Sequence, residues 1–243
     1  MYFAKEYQIL FIWILKAPAK GEKTLKKLYP LILECLTALC FSTAVIIAAV
    51  YITLRFTPLY KFDIKYLNIE NSSKLSREQL TNNYKTIIEY LNNPSIEVLN
   101  LSDLKISNNA QIHFLEVRHI FISLKYIFFC CIFIGMLLAI FLNKKKLFNF
   151  YKYTTLCLTI LPIILSVPFF INFDKSFTIF HKLFFKNGYW EFDPVIDPVI
   201  NTLPQEFFFH CSLLILTIML LVSVFFAVIY RRYNLEFKIK NLK

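Results

Sequence analysis

Glycine is scarce in this chain, with three in 243 residues. That scarcity excludes the Gly-rich loops that cradle phosphates and the GxSxG elbow of serine hydrolases. Cysteine is absent from every polar segment. Cys35, Cys40, Cys130, Cys131, Cys157 and Cys211 all fall inside apolar runs, so they form neither a disulfide framework nor a zinc motif. Cys211 follows His210, which admits a thiol nucleophile, but its setting reads as that of a small buried apolar residue. Charge is also thin, at 18% of residues against 57% hydrophobic and 18% aromatic. A soluble domain of this size could not hide that much apolar surface.

The apolar residues come in four runs long enough to cross a bilayer, which takes about 20 residues each. The expected spans are residues 28–54, 113–142 (apolar from 120), 154–173 and 207–230. In lipid they must be helical, because nothing else there satisfies the backbone. The fold expected is an all-α integral membrane protein with four transmembrane helices. Two large extracytoplasmic loops, 55–112 and 174–206, form a small cap of a helix plus short strands. A basic link, 143–153, and a tail, 231–243, complete the chain.

The net charge of +11 could point to nucleic acid, but its placement does not. Fifteen of the 27 basic residues lie in segments 1–27, 143–153 and 231–243. Residues 56–119 balance seven basic with seven acidic groups, and residues 174–206 hold three basic and five acidic. The positive-inside rule then puts both termini in the cytoplasm and both loops outside. QILFIWIL, residues 8–15, is too short to span. It reads as an interfacial helix anchored by Trp13 rather than a signal peptide, since cleavage after Ala19 would export Lys20, Lys23, Lys26 and Lys27.

In the first loop, SREQLTNNYKTIIEYLNN reads as a helix with Ser76 and Gln79 as its capping box. SIEVLNLSDLKIS alternates apolar and polar residues, which predicts one or two short strands. Ser107-Asn108-Asn109 can start a helix that runs on into the second span. Its first turns, IHFLEVRH, crowd His113, Glu116, Arg118 and His119 together. Glu116 lies three residues from each histidine, whereas His113 and Arg118 point about 140° apart on an ideal helix.

In the second loop, Phe177, Phe180, His181, Phe184 and Phe185 share one helical face. Asn187-Gly188 marks a turn, and Tyr189 and Trp190 suit an interfacial belt. DPVI occurs twice, from Asp193 and from Asp197, as a helix-start signal. Thr202 to Gln205 fits a capping box for the fourth span.

His113, His119, His181 and His210 all map to one side of the membrane. Imidazole both takes and gives a proton near neutrality, so acyl transfer by acid–base catalysis is one reading. A zinc hydrolase built on His113, His181, His210 and a carboxylate is a second. A non-enzymatic lipid- or protein-binding partner is a third. Transport lacks support, because Glu34 and Lys125, the ionisable groups within the spans, lie near their ends.

The four-span layout, HFLEVRHIF and FHKLFFKNGYWEFDPVIDPVINTLPQEFF together resemble the lipoprotein intramolecular transacylase family of small bacterial membrane proteins. The resemblance covers about residues 28–232 and is loose in the first loop. The family's histidine before an acidic-Val-basic triplet is matched by His113 with Glu116-Val117-Arg118, a glutamate standing where aspartate is more usual. Its second histidine is matched by His181, followed by Asn187, Gly188, Trp190 and Phe192, then Asp197 and Leu203-Pro204. The resemblance implies transfer of the sn-2 acyl chain of a diacylglyceryl-cysteine lipoprotein onto the α-amino group of that cysteine. It also implies His113 and His181 as acid and base, without metal or cofactor. Glu116, Arg118, Asn187, Tyr189, Trp190, Asp193 and Asp197 would then orient groups or stabilise the oxyanion. The expected setting is a bacterial cell membrane with the site at the outer leaflet. Partners would be diacylglyceryl-modified lipoproteins and phospholipids, with no nucleic acid.

Overall fold

The structure, a computed structural model, describes residues 19–241; the interfacial helix expected around Trp13 lies outside them. Among the described residues four helices are long and apolar enough to cross a membrane, and the protein is a multi-pass membrane protein. They are α1 (Ala19–Arg55), α5 (Asn108–Lys144), α6 (Asn149–Ile171) and α8 (Gln205–Asn241). Between α1 and α5 come three shorter helices, α2 (Thr57–Tyr66), α3 (Ile69–Ser73) and α4 (Arg77–Asn92). Between α6 and α8 come α7 (Phe173–Phe184) and a 3₁₀ turn, Pro198–Asn201. Both inserted segments therefore sit at the same end of the bundle.

α1 is the hub, with α5 against one side and the α6–α8 pair against the other. Its buried residues are mostly small: Thr37, Ala38, Cys40, Ser42, Ala44 and Ala49. Lipid tails give apolar helices no hydrophobic reason to associate, so close packing and polar links must hold them. Tyr51 donates to the Phe121 carbonyl between α1 and α5. Thr159 and Ser223 share a 2.7 Å hydrogen bond between α6 and α8. At the far end Glu34 accepts from the Asn149 amide at 2.9 Å and from its side chain at 3.3 Å, fixing the start of α6 on α1.

The cap at the other end holds two apolar cores. One gathers Tyr60, Ile64, Ile69, Leu80, Tyr84 and Phe207. The other gathers Ile87, Tyr90, Leu99, Leu101, Phe114 and Val199. The capping box at Ser76 and Gln79 is present in both directions.

The strands expected in the cap are not there: no residue among those described is in a strand. The alternation in segment 95–107 is real as burial, because Leu99 and Leu101 face the core. The ladder partner is missing. A side chain replaces it: the Gln111 amide donates to the Leu99 carbonyl and accepts its N–H at 3.2 Å. The capping box expected at Thr202 is absent as well, because that hydroxyl turns back to the Val199 carbonyl at 2.8 Å.

Gly135 is a point of close approach between α5 and α1. A Cβ there would sit 3.3 Å from the Cys40 Cβ and 3.4 Å from the Phe41 ring. Gly135→Val is expected to cost about 1–3 kcal/mol by forcing the helices apart. A lowered melting temperature in detergent would show it; an unchanged one would refute this contact as the limiting distance.

Candidate active site

An α-helix rises about 1.5 Å per residue, so the 37 residues of α5 reach about 55 Å, against about 30 Å of hydrocarbon. The surplus is its polar head. Ser107 caps it, accepting the Ala110 N–H at 3.1 Å. His113 is on the second turn of this head. Its ring is 8% exposed, with Phe185 at 4.7 Å, Phe192 at 5.5 Å and Phe114 at 6.0 Å between ring centres. Its Nδ1 is buried without a hydrogen-bond partner.

His181 comes from α7, an amphipathic helix capped by Asn172, whose Oδ1 accepts the Lys175 N–H. The two imidazole centres lie 6.1 Å apart, and no hydrogen bond joins them. Trp190 stacks on His181 at 4.8 Å, and Phe177 contacts it at 4.1 Å. The His181 Nδ1 is 2.8 Å from the Phe177 carbonyl. A carbonyl only accepts, so Nδ1 carries the proton and Nε2 keeps its lone pair. Burial pushes the His181 pKa down, partly offset by that carbonyl. The ring is therefore a neutral base in a mostly aromatic enclosure.

Glu116 orients neither imidazole. Its Oε1 accepts the Asn187 side-chain N–H at 2.7 Å, and its Oε2 is buried without a partner. Asn187 Oδ1 in turn accepts the Tyr189 N–H, which forms the turn after α7. Arg118 is not at the pair either. It is buried, donates to the Ile96 carbonyl and lies over the Tyr90 ring at 4.5 Å. The angular separation from His113 sends it into the cap, where it works as a tether. No positive φ is needed at Gly188.

A family model described as lipoprotein intramolecular transacylase Lit matches residues 35–208. The chain belongs to the Lit family. It is similar to the solved Lit of Bacillus cereus, with 33% identity and a TM-score of 0.83, covering 87% of this chain and 98% of that one. Forms of that protein with one histidine replaced by arginine or by alanine match at 31% identity, with TM-scores of 0.82 and 0.81. They cover 91% and 90% of this chain and 99% of theirs. No curated protein sequence matched. The chain is thus an intramolecular acyltransferase of lipoproteins embedded in a membrane.

The other expected site residues take supporting places in this Lit-family enzyme. Asp193 is exposed and accepts the Val195 N–H, closing its own turn. Tyr189 is 37% exposed. Asp197 is 5% exposed and accepts from Ser107 twice, from the N–H at 2.7 Å and from the hydroxyl at 2.8 Å. It clasps the second loop to the head of α5 instead of capping its own turn. His119 is exposed. His210 is engaged elsewhere, its Nδ1 2.7 Å from Asp63 Oδ1. Burial raises the Asp63 pKa, and His210 opposes it. Among the described residues no three His, Cys, Asp or Glu side chains converge as metal ligands.

Sequence reasoning did not select Phe185 or Phe192 as walls of the site, nor Ser107 as the partner of Asp197. The run of aromatics around both histidines was the available signal for the walls. Asp197→Ala leaves the half-buried Ser107 N–H without its partner, which is expected to cost about 1–3 kcal/mol. Activity should fall with it, as α5 and the second loop separate. Denaturation and acyl-transfer assays on the same variant check this; full stability would refute the clasp.

Proposed function

We propose that this chain transfers the sn-2 acyl group of a diacylglyceryl-cysteine lipoprotein to the α-amino group of the same cysteine, with His113 and His181 moving the protons. The observation that carries it is two imidazoles, from separate elements, 6.1 Å apart inside an aromatic enclosure. Ester and amine belong to one substrate, so holding both in that enclosure replaces a bimolecular encounter with a positioned one.

The proton balance assigns different tasks to the two rings. The substrate enters as an ammonium and an ester and leaves as an amide and an alcohol, so one proton is released overall. A second proton travels from nitrogen to the departing glycerol oxygen. His181 is half-buried and presents an Nε2 lone pair, so it takes the ammonium proton and passes it to solvent. His113 is buried, so it relays the second proton from nitrogen to oxygen. An α-amino group titrates near 8, about 1.5 units above an ordinary histidine, and burial lowers His181 further. The unpartnered Oε2 of Glu116 offers a carboxylate to the ammonium. Asn187 gives one amide proton to Glu116 and has a second for the oxyanion, beside the Trp190 N–H.

The site belongs at the outer leaflet with both termini cytoplasmic, a placement supported by the fifteen basic residues gathered in segments 1–27, 143–153 and 231–243. A cysteine introduced at Lys145 should then resist membrane-impermeant labels in intact cells. Rapid labelling there would reverse the orientation.

His113→Ala and His181→Ala should each lower kcat by about 10²–10⁴-fold with folding intact, and the double variant should be little worse than either. His119→Ala serves as the exposed control. Because His181 must be neutral to act and its pKa is lowered, the acid limb of kcat should lie below the ordinary histidine value near 6.5. Mass spectrometry of a diacylglyceryl lipopeptide reads the transfer. Near-normal N-acylation by His181→Ala would sink the assignment.

A further inference from the structure

α4 lies across the end of α1. The Tyr84 hydroxyl donates to the Leu54 carbonyl at 2.7 Å, and Arg55 donates to Asn92 Oδ1 at 2.8 Å. Between them opens a surface cleft of about 380 Å³, with Arg55, Lys85, Ile88 and Glu89 in its lining. A second cleft, about 510 Å³, carries Lys61, Arg77, Glu78 and again Lys85. Lys85 is the wall that the two share.

Four cations therefore line this face against two carboxylates, Glu78 and Glu89. Among the described residues none of the four forms an ion pair; the pairs present are His210–Asp63 and Arg232–Glu236. Arg55 lies over the Tyr51 ring at 5.2 Å and donates one hydrogen bond through a single amino group, so most of the N–H groups of its fork remain open to an acceptor. The place of this charge in the fold decides what it meets. The span Leu28–Arg55 ends here, so Arg55 stands at headgroup level. Ile52 and Phe56 beside it are 54% and 47% exposed, which gives acyl chains an apolar flank.

We propose that Arg55 and Lys85, with Lys61 and Arg77 behind them, form a binding site for the phosphate of an anionic phospholipid headgroup. A guanidinium fork and a mobile ammonium around one cleft are a phosphate-recognition chemistry. The diacylglyceryl substrate of the reaction proposed above carries no phosphate, so this site serves a lipid that is not consumed. It also shares no residue with the His113–His181 enclosure. The inference rests on the membrane span alone and stands or falls apart from the histidine assignment. The bound lipid would anchor α4 to the bilayer, and α4 contributes Ile87, Tyr90 and Leu91 to the core that also holds Phe114, next to His113.

The test is native mass spectrometry of the full chain in detergent, titrated with phosphatidylglycerol or with diacylglycerol of the same chains. One retained phosphatidylglycerol per protein, and no diacylglycerol, is the expected result. Lys85 is exposed and its side chain makes no hydrogen bond to a described residue, so Lys85→Glu should fold and weaken retention by about tenfold or more, with Arg55→Gln as the second variant. Lys152→Glu, in the opposite link, should leave retention unchanged. Equal retention by Lys85→Glu and the parent would overturn the site. Equal retention of diacylglycerol would also overturn it, because the phosphate would then be irrelevant. A phosphate adduct at millimolar inorganic phosphate, with no phosphatidylglycerol retained in its absence, would overturn the lipid site and reassign the cleft to a free anion. A loss confined to lipopeptides with acidic residues, with phosphatidylglycerol retention intact, would reassign it to the peptide.

Discussion

The bidentate contact between Asp197 and Ser107 joins two stretches of chain 90 residues apart. Ser107 caps α5, whose second turn carries His113; Asp197 closes the linker that carries Trp190 and Phe192. Each imidazole alone is an interfacial histidine with aromatic neighbours. Held at this clasp, they become a pair across an aromatic gap. The contact is charge-assisted and its carboxylate is buried, so solvent has little access to the Asp197 side of it.

The aromatic enclosure determines how the pair can work. Phe185, Phe192 and Phe114 give His113 no hydrogen-bond partner at Nδ1, and an unsatisfied buried donor or acceptor carries a cost. A substrate that supplies a partner there removes that cost on binding. A dry site also strengthens any interaction with the tetrahedral oxyanion relative to water. The same dryness makes a permanent cation expensive, which is why a neutral imidazole with one fixed tautomer suits His181 better than an ion pair would.

Much of the fold was legible in the sequence because lipid imposes a simple rule. Long apolar runs must be helices, and four such runs are present. The cap was less legible, because it lies outside the reach of that rule. Its alternation at Leu99 and Leu101 predicted burial correctly and strand pairing wrongly, since period-two patterning says nothing about whether a second strand is available. Gln111, twelve residues away, supplied the hydrogen bonds instead. At the site, helical spacing alone separated Arg118 from His113. Spacing could not separate Glu116 from the imidazoles, because three residues along a helix is within reach. What drew Glu116 away was Asn187, 71 residues on, a contact that no local pattern encodes.

The head of α5 thus divides its work by face. His113 and Glu116 turn toward α7 and the linker, where His181 and Asn187 lie. Phe114 and Arg118 turn toward α4 and segment 93–107, where Phe114 joins the cap core and Arg118 holds the Ile96 carbonyl. Fewer than two turns of helix, from His113 to Arg118, therefore both face the candidate site and anchor the cap. A shift of the cap on the bilayer must then move His113 relative to His181. Every tether found at that head, from Ser107 to Arg118, acts against such a shift, as a reaction that depends on placing two groups of one substrate requires.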